Sequence, residues 1–101
     1  MIVLKESTFQ ANLKRQISER LPGSFVMKTD PSHNQGIPDL LVLYENKWAL
    51  LEVKRSEKDR QDPQPNQEYY VDKFNKMGFA SFIFPENQEE VLNAMERSLK
   101  S

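Results

Sequence analysis

The stretch QGIPDLLVLYENKWALLEVKRS, Gln35 to Ser56, decides how this chain folds. Within it, DLLVLY (39–44) and WALLEVK (48–54) are near-continuous apolar runs of strand length, the pattern of central strands buried on both faces. YENK between them suits a tight turn, with Asn46 tolerant of positive φ. A two-residue turn at Glu45-Asn46 sets Leu43 opposite Trp48, Leu41 opposite Leu50 and Asp39 opposite Glu52. Two carboxylates then face each other with Cβ atoms ~5 Å apart. Lys54 falls on the same face, ~6.6 Å further along the strand. Val53 points the other way, but its backbone carbonyl lies at the sheet end between these side chains. Opposed like charges at the mouth of an apolar sheet are destabilising unless something positive sits between them. A hard divalent cation fits, because it takes carboxylate and carbonyl oxygens and keeps coordination positions for water and phosphate. A three-residue turn would instead carry Glu52 to the other face.

Outward from the hairpin, Phe9, Leu13, Ile17 and Leu21 recur every four residues and give a helix over 6–21 one apolar stripe, ended by Pro22-Gly23. Glu6 falls on the apolar side of this helix, where it is either a third acid over the same site or a first-turn residue complementing the helix dipole. SFVMK (24–28) alternates as a strand does, and TDPSHNQG is a polar loop. RSEKDRQDPQP (55–65), charged and with two prolines, reads as a mobile loop. Asn66 is a candidate cap for a helix to Met77 with Tyr70, Phe74 and Met77 on its inner face, stopped by Gly78. FASFIF is a fourth strand. NQEEVLNAMERSL is a last amphipathic helix with Val91, Leu92, Met95 and Leu99 inward. The expected fold is a single α/β domain over residues 1–101, with elements in the order αβββαβα and a four-stranded mixed sheet flanked by helices.

Composition narrows the function. At 101 residues there is room for one core, and 38% hydrophobic with 29% charged residues describes a globular chain. No apolar run approaches the ~20 residues of a membrane span, and the N-terminus lacks the features of a signal peptide. The absence of cysteine excludes disulfides and thiolate metal sites, and the expected compartment is cytoplasmic. A net charge of −1 means that any nucleic-acid contact comes from local clusters. One histidine argues against His-metal and His-relay chemistry, and three glycines leave no phosphate-cradling loop, so no nucleotide cofactor is expected.

Pro38-Asp39 opening one strand and Glu52-Val53-Lys54 closing the next are the signature pieces of the PD-(D/E)XK nucleases, which this chain resembles. GIPDLLVL, LLEVK and PNQEYY look like the VRR-NUC branch, whose small members occur in bacteriophages; the resemblance covers nearly the whole chain and implies the restriction-endonuclease-like core. It implies that Asp39 and Glu52 bind Mg²⁺ or Mn²⁺ with the Val53 carbonyl as a further ligand. Lys54 would orient or help activate the attacking water and offset charge on the phosphate. Gln67 resembles the glutamine that assists at this site, Tyr70 approaches the substrate, and Glu6 matches a first-helix glutamate by position alone. A phage-encoded member would work in the bacterial host cytoplasm.

Taken singly, these residues have plain readings. Asp39 after proline suits a turn, Gln67 suits a first helical turn, Tyr70 suits a core and His33 suits a loop surface. Together, the acid pair and lysine on one face point to a site. Lys28 and His33 flank its mouth, and Arg55, Lys58 and Arg60 beyond it are candidate phosphate contacts, diluted by Glu57, Asp59 and Asp62. The expectation is a metal-dependent endonuclease acting on branched, junction or flap DNA, as a homodimer; the alternative is a non-catalytic nucleic-acid-binding or interaction module that keeps the fold.

Overall fold

The hairpin forms with the two-residue turn. The computed structural model describes residues 5–101; residues 1–4, part of the segment read above for a signal peptide, lie outside it. Strands β2 (Leu40–Tyr44) and β3 (Lys47–Val53) pair antiparallel with Leu43 opposite Trp48 and Leu41 opposite Leu50. The positive φ of the turn falls on Glu45 (+55°), not on Asn46. β1 (Phe25–Lys28) adds antiparallel to β2, and β4 (Phe79–Ile83) adds parallel to β3, so the sheet is mixed with order β1-β2-β3-β4.

Two helices cover one face of the sheet. α1 (Glu6–Arg20) and α4 (Gln88–Lys100) bring Phe9, Leu13, Ile17, Val91, Leu92, Met95 and Leu99 onto Leu40, Val42, Ala49, Leu51 and Val53. Full burial of a side chain of this size is worth about 1.5–3 kcal/mol, so this face supplies most of the stability. On the opposite face α3 (Gln67–Met77) packs over β3 and β4. Its N-terminus stands at the end of β3 where the charged residues lie, and a single residue, Gly78, separates its C-terminus from the start of β4; the Gly78 N–H closes the helix on Phe74 O at 2.9 Å.

Four expectations need correction. The segment 55–65 contains a helical turn, α2 (Glu57–Arg60), because Ser56 Oγ accepts the Asp59 N–H (3.2 Å) and Arg55 pairs with Asp59 (2.9 Å). Asn66 makes no side-chain cap and sits in the left-handed region (φ +73°). Met77 is 66% exposed, since it ends α3 beyond the sheet surface that receives Tyr70 and Phe74. The central strands are not buried on both faces throughout, because α3 leaves β1 and the outer half of β2 uncovered. Phe25 (62% exposed), Met27 and Leu43 therefore face outward, and in β1 it is Val26 that packs on the core.

Candidate metal and nuclease site

The register of the hairpin carries Asp39, one residue before β2, to the end of the sheet face that also bears Glu52. Asp39 is held there by its own side chain. Its Oδ2 accepts the Val53 N–H at 2.9 Å, taking the place of a backbone carbonyl at the strand end. Glu52 is 2% exposed and Lys54 9%, charged types that are almost never so buried without partners. The Lys54 backbone N–H continues the β3–β4 ladder to Ile83 O (2.9 Å), which fixes where its side chain starts.

Gln67, in the first turn of α3, joins the two. Its Nε2 donates to Glu52 Oε2 (3.1 Å), and its Oε1 accepts from Lys54 Nζ (2.6 Å). The Gln64 N–H also donates to Gln67 Oε1 (2.9 Å). Two donors on one oxygen fix the orientation of the amide, so that its NH₂ faces the glutamate. Gln64 is a member of this arrangement that the sequence reading missed; only its place between two prolines, in a loop that must turn, hinted at it.

The electrostatics are unfavourable for two free carboxylates. Glu52 Oε1 is buried and has no hydrogen-bond donor. The Glu52 carboxyl is pushed up to about 9, first by burial and then by the neighbouring Asp39 carboxylate; Lys54 opposes this in part and Glu6 adds to it. Without a counter-cation, Glu52 therefore keeps its proton at neutral pH. The oxygen donors available, Asp39, Glu52 and the backbone carbonyl of Val53, suit a hard divalent ion, and an orphaned buried carboxylate oxygen is what such an ion would satisfy.

The other expected residues divide. Glu6 is exposed at the mouth, with its carboxyl raised by partial burial and by Asp39, against the opposing charges of Lys54, Lys28 and Arg55. These influences place Lys28 and Arg55 near the mouth as well. Among the described residues, however, no three acidic or histidine side chains cluster closely enough to hold a metal ion, so Glu6 stands outside the pair. Glu6, Lys54, Arg55, Asp59, Asp62 and Gln64 line a cleft of about 230 Å³ beside the acid pair. Arg60 faces another way: its guanidinium lies 3.8 Å over the Phe82 ring and pairs with Glu68 (3.1 Å), lining a larger concavity of about 530 Å³ along β4. Tyr70 is half-buried between Tyr69 and Phe74, with ring centroids 5.2 and 5.5 Å away, a packing arrangement. His33 and Lys58 are exposed.

The chain matches no family model and no curated protein. It is similar to a solved structure titled "VRR_NUC domain", with a TM-score of 0.68 and 25% sequence identity, over 87% of this chain and 94% of that one. The arrangement of helices around the mixed sheet is thus like that of the VRR_NUC domain. No helix among the described residues is long and apolar enough to cross a membrane.

Proposed function

We propose that the chain is a metal-dependent endonuclease of the PD-(D/E)XK type that hydrolyses phosphodiester bonds in DNA. One observation carries the reading: a buried glutamate whose Oε1 lacks a donor lies against a second carboxylate, beside a buried lysine. Likeness to a VRR_NUC domain supports the same conclusion. Asp39, Glu52 and the Val53 carbonyl would hold Mg²⁺ or Mn²⁺. When bound, such an ion supplies positive charge to the non-bridging phosphate oxygens and lowers the pKa of water towards ~7.

The protein's own groups do the rest. Lys54 has three N–H bonds, of which Gln67 Oε1 accepts one; the remainder are free to orient the attacking water and to donate to the phosphate as negative charge builds on it. Gln67 keeps Glu52 Oε2 turned inward while it holds Lys54. Glu6 contributes a further negative charge at the mouth. Lys28 and Arg55 flank the approach, and the exposed Lys58 and His33 are further candidate phosphate contacts, while Arg60 is committed to Phe82 and Glu68.

Selection by DNA shape at branches, junctions or flaps follows from the small surface left for reading bases, and a two-fold dimer would supply two sites for two strands. The large hydrophobic side chains exposed on the uncovered part of the sheet support a homodimer through that face. Phe25, Met27 and Leu43 lie on the α3-bearing face of the sheet, and Tyr69 and Met77 on α3 itself. Aromatic residues and methionine are the types enriched at such interfaces.

Incubation of the protein with branched and linear DNA in Mn²⁺ or EDTA, beside Asp39→Ala and Lys54→Ala, tests the reading. Cleavage is expected only for the wild type with metal. Cleavage that ignores EDTA or survives both substitutions overturns it, and DNA binding without Mn²⁺ binding would favour the non-catalytic module.

A further inference from the structure

Two glycines have left-handed backbone, Gly23 (φ +89°) and Gly36 (φ +95°), and they differ in their surroundings. A Cβ on Gly23 would meet nothing within 4 Å. A Cβ on Gly36 would lie 2.6 Å from Pro65 O, 2.8 Å from Asn66 Cβ and 3.0 Å from Asn66 C. The loop before Asp39 thus rests its bare Cα on the backbone that leads directly into Gln67. Asn66 is itself left-handed (φ +73°), begins α3 without a side-chain cap, and reaches back through Nδ2 to Gln35 O at 3.5 Å. At its other end the loop is braced on β1. Pro38 is fully buried, its carbonyl accepts Thr29 Oγ1 (2.6 Å), and the Asp39 carbonyl accepts the Thr29 N–H (2.8 Å).

The candidate site is therefore built in two parts that touch here. One is Asp39, carried by the loop. The other is Gln67, carried by α3, with the bonds it makes to Lys54 and Glu52. We infer that Gly36 is a positioning residue, which sets the start of α3 against the Asp39 loop and so holds Gln67 in register with Lys54 and Glu52. A methyl at position 36 must open the contact with Pro65 O by about 1 Å to reach ordinary separation. Bonds of 2.6 and 3.1 Å from one amide to two buried partners do not both survive such a shift. Only the activity arm of the test rests on the nuclease reading.

The experiment compares Gly36→Ala with Gly23→Ala in the full chain. Both carry the strain of an alanine at positive φ, of similar size. The first readout, free of metal and substrate, is the Gln67 side-chain NH₂ signal in the ¹H–¹⁵N spectrum. It is expected to shift in Gly36→Ala and to stay in place in Gly23→Ala. The second is cleavage of branched DNA with Mn²⁺, where kcat is expected to fall on the order of 10²-fold in Gly36→Ala, with KM little changed, and to hold in Gly23→Ala. The third is rescue. Asn66→Gly removes one of the clashing atoms, so its gain in melting temperature is expected to be larger in the Gly36→Ala background than in the wild type. A Gln67 signal unmoved by Gly36→Ala overturns the inference, as does an equal gain from Asn66→Gly in both backgrounds, which can be read even if Gly36→Ala alone is poorly folded. A wild type that cleaves no DNA overturns the nuclease reading instead and leaves the spectroscopic and rescue arms to decide this one.

Discussion

Replacing Glu52 by glutamine should make the metal-free protein more stable while removing its activity. Glu52 is almost fully buried, and its carboxyl is raised from an ordinary 4.5 to about 9 by burial first and by Asp39 second. Below pH ~4.5 the group is protonated in both the folded and unfolded chain and costs nothing. Between that pH and about 9 the unfolded chain has lost the proton that the folded chain keeps, so stability falls as pH rises, by ~1.4 kcal/mol per unit. From 4.5 to 7 this amounts to about 3 kcal/mol. Glutamine has the same shape, accepts the same bond from Gln67 Nε2 through its carbonyl, and can turn its NH₂ towards Asp39. Glu52→Gln is therefore expected to exceed the wild type by about 3 kcal/mol at pH 7 in EDTA, and to equal it near pH 4. For a domain of this size that corresponds to a rise of roughly 10–20 °C in Tm. Urea denaturation at both pH values, with and without Mn²⁺, is the assay. Added Mn²⁺ should stabilise the wild type and leave the variant unchanged. A variant no more stable than the wild type at pH 7 would refute the buried-acid argument.

Other substitutions probe neighbouring parts. Gln67→Leu leaves Lys54 Nζ buried without its acceptor and should cost about 1–3 kcal/mol in urea melts, with cleavage reduced. Leu51→Ala empties a fully buried site beneath α1 and α4 and should cost about 2–5 kcal/mol at any pH, separating core effects from the pH-dependent one. Phe25→Asp changes an exposed residue, so the monomer should keep its stability; if the apolar side is the dimer face, sedimentation should show a shift to monomer.

How far this was readable beforehand depended on the range of the interactions. The hairpin register followed from local turn length, and with it the meeting of Asp39 and Glu52, because alternation along two strands leaves little freedom once the turn is set. The buried stripe of α4 and that of α1 followed from helical period alone. The failures came where a contact between distant segments decides. Whether Met77 is covered depends on where α3 crosses the sheet. The conformation of Asn66 depends on the loop at Gly36. The fate of Arg60 depends on Phe82, more than twenty residues away. Gln67 was found through its resemblance to a family position, yet nothing local marked Gln64 as the donor that sets its orientation.

The central claim is that Asp39 and Glu52 converge in order to share one divalent cation. A crystal soaked in Mn²⁺ and measured for anomalous scattering tests it most directly. A single strong peak within ~2.0–2.6 Å of oxygens from both side chains, absent from crystals of Asp39→Asn, is the expected result. No peak between them, with Glu52 still buried and bonded to Asp39 through a proton, would contradict the account.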